Sequence, residues 1–107
     1  MIQKTVTRKK LLDVVINQTI SALEIKLVAL GEGQSVPKHY HPCPVVGYVV
    51  SGSVLFQVEG HESKTLKAGD AFYEPKDKTI LRFDNASRNE PLISLRSISK
   101  NETRKIS

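Results

Sequence analysis

The stretch Gly33-Gln34-Ser35-Val36-Pro37-Lys38-His39-Tyr40-His41-Pro42-Cys43-Pro44-Val45-Val46-Gly47-Tyr48-Val49-Val50-Ser51-Gly52 carries the strongest structural signal in this chain. Its apolar run Val45–Val50 is too short for an ordinary helix and rich in β-branched residues, so it reads as a strand ending at the turn Ser51-Gly52-Ser53. Before it, two glycines and three prolines bracket the pair His39 and His41. In extended chain, residues two apart leave the same face with backbones about 6–7 Å apart, close enough for both imidazoles to bind one metal ion.

The same strand grammar continues outward in both directions. Leu23, Ile25, Leu27 and Ala29 alternate with Glu24, Lys26 and Val28, which places four apolar side chains on one sheet face. Val54–Glu59, Thr65–Lys67, Ala71–Glu74, Thr79–Phe83 and Leu92–Ile98 read as further strands, separated by turn signals at Gly60-His61-Glu62-Ser63, Ala68-Gly69-Asp70, Pro75–Lys78 and Asn85–Pro91. With the short apolar run Val14–Ile16, the tally is about eight strands at intervals of roughly ten residues and no helix, the pattern of a sandwich or barrel. The composition agrees, since 11 Val, 8 Ile and 10 Leu stand against 5 Ala.

The chain has 107 residues, room for one domain. We divide it into a basic N-terminal segment (1–10), a β-barrel (11–98) and a polar C-terminal tail (99–107). Its net charge of +5 is concentrated at the two ends, leaving the body near neutral. No stretch interleaves basic and aromatic residues, so nucleic acid is not an expected partner. No apolar run approaches a membrane span, and Leu11–Asn17 is short, interrupted by Asp13 and unlike a secretory signal. A single cysteine, Cys43, permits no internal disulfide, so a cytoplasmic location is expected. Dinucleotide, phosphate-loop and nucleophile-elbow motifs are missing.

With these residues in view, the chain resembles the cupin family over about residues 20–98. That family's first motif, G-X5-H-X-H-X3or4-E-X6-G, is matched by Gly33, His39, His41 and Gly52, but Val45 stands where its glutamate belongs, and no acid occurs from Lys38 to Val58. Its second motif, G-X5-P-X-G-X2-H, is matched by Gly69 and Pro75, with Asn85 following in register. Asp77 replaces the second glycine and Ile80 the histidine. The resemblance implies an all-β, cupin-type double-stranded β-helix (jelly-roll barrel) in a single domain, and a homodimer.

Two of the four customary metal ligands are therefore aliphatic. This predicts a small-molecule-binding cupin with a degenerate metal site, its pocket formed by His39, His41, Val45, Ile80, Arg82 and Gln57. A divalent metal (Zn, Fe, Mn or Ni) would bind weakly or not at all. The alternative is a metal-dependent enzyme in which His39 and His41 recruit an unconventional third ligand. Glu74, at a strand end before Pro75, is the first candidate, with Gln57 and Tyr48 behind it. Arg82 is expected to share the inward face of Ile80 by alternation. Cys43 is a soft ligand type near the pair, and His61 is read as a solvated tip residue.

Overall fold

The computed structural model describes residues 6–16 and 22–100. Seven strands are found among them: β1 (Ala22–Leu30), β2 (Val45–Ser51), β3 (Ser53–Val58), β4 (Lys64–Lys67), β5 (Ala71–Glu74), β6 (Ile80–Asn85) and β7 (Leu92–Lys100). They form a four-stranded antiparallel sheet in the order β1-β7-β2-β5 and a three-stranded one in the order β4-β3-β6. All seven strands fall within a residue or two of the sequence reading. Val14–Ile16 forms no strand. The last strand runs two residues past Ile98 into the expected tail, and residues 101–107 lie outside the described residues. No helix long and apolar enough to cross a membrane occurs among the described residues.

Alternation sorts each strand into an inner and an outer face. Val45 and Val49 of β2, Val54, Phe56 and Val58 of β3, Phe72 of β5, Ile80 and Phe83 of β6 and Leu92 of β7 are buried between the sheets. Phe56, Phe72 and Phe83 meet pairwise at centroid distances of 5.4–6.1 Å, in tilted or edge-on contacts. Such pairs add about 0.5–1.5 kcal/mol each beyond their burial. The three rings plug the middle of the barrel. Gly47 lies beneath this plug, and a Cβ there would overlap the Phe72 ring, so the smallest residue at 47 lets the plug form.

One end of the barrel is closed by Asn85. Its side-chain nitrogen lies 3.2, 3.0 and 2.9 Å from the carbonyls of Leu30, Gly31 and Glu90, while its oxygen accepts from the Ser87 amide at 2.8 Å. Gly52, at the β2–β3 turn, has φ of +84°, and a Cβ would press on the carbonyl of Pro91. Asp77 adopts φ of 61°, the left-handed region that Asp tolerates better than most side chains. That is how Asp77 serves where the family pattern has glycine.

The outer face of β1 is unusual. Leu23, Ile25 and Leu27 are 63%, 70% and 63% exposed, so the clean alternation seen in the sequence marks an outward row. Tyr48, Val50 and Leu95 extend this apolar surface across the same sheet.

Candidate metal centre

Residues 31–44 run beside β6 without becoming a regular strand. Isolated bridges pair Ser35 with Asp84 and His39 with Ile80, and the Ile80 amide donates to the His39 carbonyl at 2.7 Å. The Asp77 amide donates to the His41 carbonyl at 2.8 Å. The backbone on both sides of Tyr40 is thus fixed, and both imidazoles end at the barrel mouth. Their rings meet edge-on with centroids 4.8 Å apart, each side chain about one-quarter exposed.

Glu74 completes the group. Its Oε1 lies 3.0 Å from His41 Nε2 and 3.9 Å from His39 Nε2, and the residue is fully buried. The reason lies in sheet register: Glu74 of β5 is the direct cross-strand partner of Val45 of β2. Directly paired side chains have Cβ atoms about 4.5–5.5 Å apart on the same face. A carboxylate missing at position 45 can therefore be supplied from the neighbouring strand into the same space. Val45 and Ile80, both fully buried, then wall the site with apolar surface.

The donor atoms of His39, His41 and Glu74 all lie within 4.8 Å of one another. The His39 Nδ1–H must donate to the Pro37 carbonyl at 2.8 Å, because a carbonyl only accepts, which leaves Nε2 as the atom that faces the site. His41 donates from Nε2 to Glu74 in the absence of a cation. Burial pushes the His41 pKa below its ordinary value of 6.5, outweighing the opposing pull of Glu74, so the ring favours the neutral form that ligates metals. Glu74 Oε2 is buried without a hydrogen-bond partner. An orphaned carboxylate oxygen beside two imidazoles fits a divalent cation of the two-His, one-carboxylate type.

Other sequence candidates fall elsewhere. Arg82 is exposed and pairs with Asp84 at 3.3 Å. The β3–β6 register shifts between Gln57 and Val58, and this bulge separates Arg82 from the inward face of Ile80, contrary to simple alternation. Gln57 turns away from the barrel interior and donates to the His61 carbonyl at 3.0 Å. Tyr48 lies on the outer sheet face, 38% exposed. His61 sits exposed at the β3–β4 turn, and Cys43 is half-buried.

The sequence reading missed Arg96. Its Nη1 lies 3.5 Å from Glu74 Oε1, and its guanidinium carbon lies 4.5 Å from the Phe83 ring centroid. It is 6% exposed. The available signal was parity, since Arg96 shares the face of Leu92 and Ile98 along β7.

The cupin domain model matches residues 26–95, and the chain belongs to the cupin family. Among solved structures it is similar to an RmlC-like cupin from Shewanella frigidimarina at 24% identity, covering 78% of this chain and 71% of that one, with a TM-score of 0.64. It is similar to a Thermus thermophilus protein at 28% identity, covering 72% and 71%, with a TM-score of 0.64. A Klebsiella pneumoniae protein with a double-stranded β-helix domain matches at 20% identity, covering 78% and 72%, with a TM-score of 0.66. Comparison with curated proteins finds no match.

Proposed function

We propose that this cupin holds a divalent cation at its barrel mouth through His39, His41 and Glu74, and binds a small organic molecule beside it. The observation that carries this reading is the buried Glu74 carboxylate, 3.0 Å from His41 and 3.9 Å from His39. A cation bound there would act as a Lewis acid toward a ligand oxygen. The chain's own residues orient the site: Pro37 holds the His39 tautomer, Arg96 and His41 hold the carboxylate, and Val45 with Ile80 keep water from its inner side. Of the two sequence readings, the one with an unconventional third ligand is better supported, with Glu74 in that role.

The test is elemental analysis after dialysis against trace zinc, iron, manganese or nickel. Wild type should retain close to one equivalent, while Glu74→Gln and the His39→Ala/His41→Ala double variant should each lose affinity by at least about tenfold. A wild type that takes up none of these metals ends the reading. We further propose that the chain forms a homodimer, with the outward row Leu23, Ile25 and Leu27 covered by a second copy. Support comes from its exposure on β1, an edge strand hydrogen-bonded only to β7 among the described strands.

A further inference from the structure

Arg96 is a buried cation with two of its three guanidinium nitrogens unanswered. Nη1 faces Glu74 at 3.5 Å, while Nε and Nη2 are both shut off from solvent and have no partner. Those two donors form one edge of the guanidinium, the side-on fork that matches the two oxygens of a single carboxylate. A buried donor without a partner is costly, and more so on a charged group, so two on one edge are a standing demand for an acceptor. The Ser94 hydroxyl, one inward step earlier on β7, is likewise buried without a partner. The guanidinium face is already occupied by Phe83 at 4.5 Å, with Phe72 at 5.7 Å, which leaves the edge as its free recognition element.

We propose that the barrel binds a small carboxylate, with Arg96 Nε and Nη2 as its clamp and Ser94 as a neighbouring donor. Glu74 meets Arg96 through Nη1 only, at 3.5 Å, so the ligand carboxylate would take the opposite edge of the guanidinium. The ligand this proposal fits is a short one, because Phe56, Phe72 and Phe83 already fill the core beside Arg96. This inference rests on the small-molecule part of the function proposed above and is independent of the metal.

The test uses the full chain, treated with chelator, at fixed ionic strength and neutral pH. Propionate and its neutral counterpart propionamide are titrated separately while the Arg96 Nε–H resonance is followed by 1H–15N NMR. That resonance is assigned from the Arg96 side-chain carbons and checked by its loss in Arg96→Lys. Propionate should move it saturably and propionamide should leave it in place, and Arg96→Lys, followed through its backbone amide resonances, should bind propionate about tenfold more weakly or worse. A resonance that propionate does not move, or that both compounds move alike, overturns the proposal. Because the chelator is present throughout, failure here is separate from failure of metal uptake. If Arg96→Lys does not fold, the wild-type contrast between the two compounds still decides.

Discussion

Glu74 brings a carboxyl group into the fully buried layer that holds Val45 and Ile80, with His39, His41 and Arg96 around it. His41 is the most telling of them. Burial lowers its pKa below 6.5 despite the adjacent carboxylate. An unfolded chain therefore takes up this proton before the folded one as the pH falls, so the folded state loses stability below pH 6.5 and gains it on the way back up. In chelator-treated protein, the melting temperature should drop between pH 7 and pH 5, and His41→Asn should flatten that slope. An unchanged slope in the variant would remove His41 as its source. The Glu74 candidacy was legible because an acid closing a strand before Pro75 has few reasons to be inside. Arg96 was not, because in Leu92–Ile98 the apolar Ile93 and Leu95 compete with Leu92 and Ile98 for the inward face, and composition alone does not break that tie.

At the scale of single strands, two features decide where side chains point. The bulge opposite Gln57 and Val58 converts the expected shared face of Ile80 and Arg82 into opposite ones. A one-residue irregularity of this kind leaves no dependable mark in sequence, which is why strand positions were readable while orientation on β6 was not. Gly47 is the other feature. Gly47→Ala should destabilise the protein by about 1–3 kcal/mol or more in a urea melt, through overlap with the Phe72 ring. Phe72→Leu in the same chain should recover part of that loss, and a neutral Gly47→Ala would show that the plug has slack.

For the molecule as a whole, the turn glycines and prolines announced the barrel, while the exposed side of β1 was ambiguous because an apolar row looks the same whether it faces a core or a partner. Light scattering at micromolar protein should give twice the mass of the chain, and Ile25→Lys should shift it to the monomer without changing metal content. A monomeric wild type would end the dimer proposal. The phenyl plug has a consequence for traffic. With three rings packed across its middle and Asn85 lacing one end together, the barrel leaves only its histidine end to a ligand of the kind proposed, which would go in and come out by the same door. Such a ligand would be held single file, and a compound that merely stoppers the rim between the two imidazoles would exclude it without touching Arg96.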